Sequence, residues 1–156
     1  MVARRTVLYT GEYRHNRDAK GRLTVPSKWR SGGEDEVEYL ALPNTALKCI
    51  TVYPPKRAEK LLEWVDSLDA TDPKQQKALI KFSAMLQSFT YDSQGRISLD
   101  EKLLKFAGIE GKEVVLQGNV TSFTIWSKER YDDMVPEDLD EQSGNLSELL
   151  DEIGGF

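Results

Sequence analysis

The octapeptide Asp18-Ala19-Lys20-Gly21-Arg22-Leu23-Thr24-Val25 recurs 74 residues later as Asp92-Ser93-Gln94-Gly95-Arg96-Ile97-Ser98-Leu99. Asp, Gly and Arg are identical in both copies, and the next three positions match as apolar, hydroxyl, apolar. Asp-x-x-Gly is a turn signature. The carboxylate can accept hydrogen bonds from backbone N–H groups ahead of it, and glycine suits the exit into a strand. Asp18, Gly21, Asp92 and Gly95 are therefore assigned to two structural turns. Side chains alternate along a strand, so Arg22 and Thr24 face one way while Leu23 and Val25 face the other. The apolar pair anchors the strand and holds the arginine at its rim.

Outward from these turns the duplication continues. Ile50-Thr51-Val52-Tyr53 corresponds to Phe123-Thr124-Ile125-Trp126, and a short helical patch follows each turn. Two copies imply a pseudo-dimer with an approximate twofold axis, because a solenoid needs three or more repeats. Segments rich in β-branched and aromatic residues predict strands over 6–13, 22–25, 37–42, 48–53, 89–91, 96–99, 113–117 and 122–126. One helix is predicted after Pro54-Pro55, with Leu61, Trp64, Val65 and Leu68 on one face. A second opens at Asp72-Pro73 and carries Leu79, Phe82 and Leu86. A third, over 101–107, is expected to be capped by Asp100 and closed by Gly108. The expected organisation is a first repeat over 1–55, connecting helices over 56–88, a second repeat over 89–134 and an acidic tail over 135–156. In the tail Leu146, Leu149, Leu150 and Ile153 form one stripe of a short helix, which either packs on its own domain or docks on a neighbouring subunit.

The net charge of −5 averages two unlike parts. Residues 131–156 hold nine acidic side chains and no Lys or Arg, whereas residues 1–30 hold eight Lys/Arg against Glu12 and Asp18. This asymmetry points to a basic working face and an acidic tail; its plainer reading is a solvated surface. No apolar run approaches the roughly 20 residues of a membrane helix, and the basic N-terminus lacks an apolar signal region. No membrane association is expected. Cys49 is the lone cysteine, which excludes an internal disulfide and suits a reducing cytoplasm. His15 is the lone histidine and is expected at the surface or beside a phosphate. No Cys/His spacing fits a metal, and neither a Walker loop nor a G-x-G-x-x-G is present. The expectation is no catalytic residue, no metal and no cofactor. Trp29, Trp64 and Trp126 lie among apolar neighbours and are expected to fill the core.

Arg22 and Arg96 admit two readings that can coexist. Each can pair with the aspartate four residues back as a turn clasp. Each can also project a planar fork suited to guanine O6 and N7 or to a phosphate. The first turn lies in a basic setting of Arg14, Arg17, Lys20, Lys28 and Arg30.

The stretch Gly11 to Arg30 resembles the first signature of the MraZ family. Asp92 to Leu99, continued by Ala107-Gly108-Ile109, Glu113 to Gly118 and Ser122 to Trp126, resembles the second. The resemblance spans nearly all of Tyr9 to Met134. It implies an α+β, β-rich fold: a tandem, pseudo-twofold AbrB-like swapped-hairpin barrel with intervening helices, joined into a homo-oligomeric ring. It also implies a cytoplasmic, nucleoid-associated transcription regulator. Such a protein would bind double-stranded DNA at short direct repeats in the promoter of its own division and cell-wall gene cluster. Lys20, Arg22 and Arg96 would face DNA by resemblance, with Arg14 and Arg17 added from the basic stretch. Gln94 stands where the family often has lysine, Asp100 where it often has proline, and Thr124 where an acidic residue is usual. Gln94 and Asp100 make the second half less basic. An oligomeric protein-interaction scaffold that has lost DNA binding is the alternative.

Overall fold

The computed structural model describes residues 7–30, 38–134, 148 and 151–152. The strands are β1 (Glu12–Asn16), β2 (Leu23–Thr24), β3 (Tyr39–Asn44), β4 (Cys49–Tyr53), β5 (Gln87–Phe89), β6 (Arg96–Ile97), β7 (Glu113–Gly118) and β8 (Phe123–Ser127). The helices are α1 (Pro55–Asp66), α2 (Pro73–Met85), α3 (Glu101–Phe106) and α4 (Lys128–Met134), and Ser27–Trp29 forms one 3-10 turn. The predicted tail helix over 146–153 falls almost wholly outside the described residues.

Among these residues the antiparallel strands form a six-stranded sheet, in the order β1-β7-β8-β4-β3-β5, and a separate ribbon of β2 and β6. Exchanging β1 with β5, β3 with β7 and β4 with β8 reverses that order onto itself. The registers locate the axis. Leu23 pairs with Ile97, its own counterpart in the repeat, and Thr51 pairs with Thr124, likewise its counterpart. Each outer strand pairs with the other half of the chain: Glu12–Asn16 with β7, and Gln87–Phe89 with β3. The two repeats therefore share one sheet and one core. The class is α+β, as expected, with a mostly antiparallel sheet, but the described helices hold at least as many residues as the strands. The hydrogen bonding does not close a barrel, because β1 and β5 are the two edges of an open sheet.

The main core lies between the sheet and the ribbon. Leu23, Val25 and Ile97 enter it from the ribbon, Tyr39, Ile50, Val52, Leu116, Phe123 and Ile125 from the sheet, and Leu103 from α3. Trp29 is fully buried there, 5.1 Å from the Phe123 ring and 5.0 Å from Tyr13, and its indole N–H donates to the Thr10 carbonyl at 3.1 Å. A second cluster of Cys49, Val115, Trp126 and Tyr131 forms where α4 covers the opposite face. Trp64 departs from its expected place. It is 48% exposed, and α1 and α2 contain no buried residue. Their apolar stripes meet each other, with Trp64 edge-on to Phe82 at 6.0 Å, and Met85 at the end of α2 packs against the core.

Three local features also differ from expectation. The first strand begins at Glu12 because Gly11 (φ 94°) breaks the chain after an isolated Tyr9–Val120 bridge. The Asp100 carboxylate does not cap α3. Its backbone N–H is held by Gln87 Oε1 at 2.7 Å, and only its carbonyl receives the first helical N–H groups. The polar helix α4 was not anticipated, although Lys128 stands at the repeat position of Pro55, where α1 begins.

Candidate nucleic-acid interface

The two turns are built alike, atom for atom. Asp18 Oδ1 accepts from the backbone N–H of Lys20 (2.9 Å) and Arg22 (2.8 Å), and Asp18 Oδ2 accepts from Arg22 Nε at 2.7 Å. Asp92 Oδ1 accepts from the backbone N–H of Gln94 and Arg96, both at 2.9 Å, and Asp92 Oδ2 accepts from Arg96 Nε at 2.8 Å. Each loop is closed by a Gly N–H to Asp carbonyl bond and by an Asp N–H to Arg carbonyl bond. The glycines take φ values of 77° (Gly21) and 76° (Gly95), where a side chain would be strained. Backbone hydrogen bonds from Arg22 and Arg96 are the largest cause holding the carboxyls of Asp18 and Asp92 below their ordinary range.

This arrangement lets one arginine serve two purposes. The Nε edge is held by the aspartate, which fixes the guanidinium plane. The side chains of Arg22 and Arg96 remain 27% and 25% exposed, so they lie at the rim and not in the interior. The ribbon sets the turns side by side, since Arg96 is the register partner of Thr24 and its Nη1 lies 3.9 Å from Asp18 Oδ2. Lys20 and Gln94 occupy matching exposed positions in the two turns. Fixed donors of this kind, lying at a protein's rim, suit an anionic or base-edge partner.

The other basic residues take different places. Arg17 Nε and Nη2 donate to the Gly111 carbonyl (3.0 and 2.7 Å), which ties the first turn to the loop before β7. Arg14 points to α4 instead of the turns. It pairs with Glu12 (2.8 Å) and Asp132 (2.7 Å) and stacks over Tyr131. Arg14 also lines a cleft of about 400 Å³ with His15, Glu113 and Lys128, and Lys128 there is paired with Glu113 at 3.3 Å. Sequence reasoning gave Arg30 no role in the second turn. Its guanidinium lies against Gly95 so closely that a Cβ there would sit 2.1 Å from Arg30 Nη1. Only the fold joins these two positions, which are 65 residues apart. No group of three or more His, Cys, Asp or Glu among the described residues could hold a metal ion, and no helix among them is long and apolar enough to cross a membrane.

A family model described as "MraZ protein, putative antitoxin-like" matches residues 8–81 and again 85–151. The chain is also similar to curated proteins named "Transcriptional regulator MraZ". It is 34% identical to that of Lachnoclostridium phytofermentans, over 91% of this chain and 97% of that protein. It is 36% identical to that of Lactobacillus delbrueckii subsp. bulgaricus, over 94% and 99%. It is 32% identical to that of Halothermothrix orenii, over 91% and 99%. With both halves matched in order and relatives covered almost end to end, the chain belongs to the MraZ family.

Proposed function

We propose that this chain is a sequence-specific DNA-binding transcription regulator, with no catalytic role, that works through the twin Asp–Arg turns. The observation that carries this reading is the pair of identical clasps set side by side across the β2–β6 ribbon. Each fixes an arginine fork at the rim, as base-edge and phosphate recognition require. Lys20, Arg22 and Arg96 are the DNA contacts. Arg17 braces the first turn and adds charge beside the backbone. Arg14, already paired with two carboxylates, contributes through the general field.

The exchange of outer strands between the two halves supports a swapped-hairpin module, with 1–55 and 89–134 as its repeats and 56–88 as the connecting helices. The exposed Leu62, Trp64 and Ile80 on α1 and α2 support assembly into a homo-oligomeric ring. Several modules in one ring would engage successive direct repeats together and raise avidity by about 10²–10⁴-fold where the geometry fits. The family's likeness points to the promoter of the chain's own division and cell-wall gene cluster as the target, in the cytoplasm at the nucleoid.

Fluorescence anisotropy on the DNA upstream of its own gene, with repeats intact and scrambled, tests this reading. Tight binding to the intact repeats alone is expected. Equal affinity for both probes would remove sequence specificity. No binding to either, with a protein partner captured instead, would favour the scaffold that the acidic tail and Gln94 motivate.

A further inference from the structure

The pseudo-twofold axis makes the two turns equivalent in backbone and in the Asp–Arg clasp, but between Asp and Arg one carries Ala19-Lys20 and the other Ser93-Gln94, and the second position of each pair differs most in chemistry. Lys20 donates its backbone N–H to Asp18 Oδ1 at 2.9 Å, and Gln94 donates its own to Asp92 Oδ1 at 2.9 Å. Both side chains therefore leave matching points of matching turns, and both are exposed. Among the described residues no hydrogen bond or ion pair engages either side-chain terminus. The axis runs through the Leu23–Ile97 pair, so the two positions flank one short ribbon. Their chemistry differs in the way that separates bases. An ammonium only donates, which matches the O6 and N7 acceptors of guanine. A carboxamide both donates and accepts, which matches the N6–H donor and N7 acceptor of adenine.

We propose that the two turns read different base pairs, with Lys20 beside Arg22 selecting guanine on one side of the axis and Gln94 beside Arg96 selecting adenine on the other. The chain then has a built-in polarity on DNA. A symmetric pair of turns would select a palindrome, in which either orientation is equivalent. This pair selects a site with two unlike halves, which fixes the direction in which each module lies. A direct repeat, unlike an inverted one, requires that every module of an assembly lie in the same direction. This inference rests on the proposed DNA-binding function and names the base chemistry of the same site.

The test is selection from a randomised duplex library with the full-length protein, its K20Q and Q94K variants, and the K20Q/Q94K double variant. The wild-type protein should enrich a site whose halves differ as guanine against adenine. K20Q should convert the guanine half to adenine, and Q94K the adenine half to guanine, so that each single variant selects a more symmetric site. The double variant should select the wild-type site in reverse orientation. In anisotropy, the matching base at the altered position should be preferred about tenfold. Enrichment of one unchanged site by all four proteins would overturn the inference and leave the DNA-binding function standing. Failure of the wild-type protein to enrich any sequence would overturn both.

Discussion

Arg96 Nη1 lies 3.9 Å from Asp18 Oδ2, so a guanidinium from the second repeat reaches the carboxylate that clasps the arginine of the first. The two turns thus form one electrostatic unit at the end of the ribbon. Asp18 is shared: it accepts a hydrogen bond from Arg22 Nε at 2.7 Å and lies within ion-pair range of Arg96. Lesions on either side of the ribbon should therefore couple.

The coupling is testable with a double-mutant cycle. Arg22→Lys keeps the charge but loses the Nε donor and the planar fork. Its expected effect is a loss of DNA affinity of about tenfold or more. Arg96→Lys should do the same. The double variant should deviate from additivity, as contacting residues do. Strict additivity in anisotropy would separate the two turns.

The carboxylates set a pH limit. Asp18 and Asp92 are held below the ordinary value of 3.8, first by the backbone N–H groups of Arg22 and Arg96. Because the folded-state value is depressed, the clasp contributes stability above the ordinary aspartate range. That contribution is lost as pH falls through the folded value. Thermal unfolding from pH 7 to pH 3 should show a steeper acid loss for the wild-type protein than for Asp18→Asn/Asp92→Asn. The comparison with the variant matters because Asp69 and Asp132 are depressed as well.

Gly118 is fixed by close approach and not by an unusual φ. A Cβ there would lie 2.4 Å from the Tyr9 carbonyl oxygen, while Gly118 N–H donates to the Gly11 carbonyl at 2.9 Å. Gly118→Ala should destabilise the fold by about 1–3 kcal/mol, measured by urea denaturation, because the segment before β1 must move away.

The helices α1 and α2 carry the assembly claim. Leu62 is 64% exposed and Ile80 68% exposed in the single chain. Leu62→Glu/Ile80→Glu should lower the mass seen by light scattering while leaving the circular dichroism unchanged. An unaltered mass would place the subunit contacts elsewhere.

How far the sequence spoke for itself depended on the range of the interaction. The turn chemistry was local, so Asp18, Gly21 and Arg22 could be read from eight residues, and their repeat pointed to the axis. The burial of Leu23 and Val25 followed from strand alternation. The sequence places the first strand over 6–13 whereas it runs over 12–16, because its partner, β7, lies about 100 residues away and leaves no local signal. Helical periodicity shows that the Trp64 face of α1 is apolar but not what covers it, and the structure leaves Trp64 half exposed. Helix α4 buries only Tyr131, so it lacks an apolar stripe, although the repeat alignment with α1 could have revealed it. Arg30 against Gly95 joins two repeats through folding alone.

The most direct measurement is the salt dependence of binding to the intact upstream repeats for the wild-type protein and for Arg22→Ala. The wild-type affinity should fall steeply as salt rises, through counterion release. Arg22→Ala should lose specific binding, keep cooperative unfolding and the wild-type mass in solution, and retain only weak binding that does not distinguish intact from scrambled repeats. A variant that still binds the intact repeats with wild-type affinity and salt slope would contradict the account.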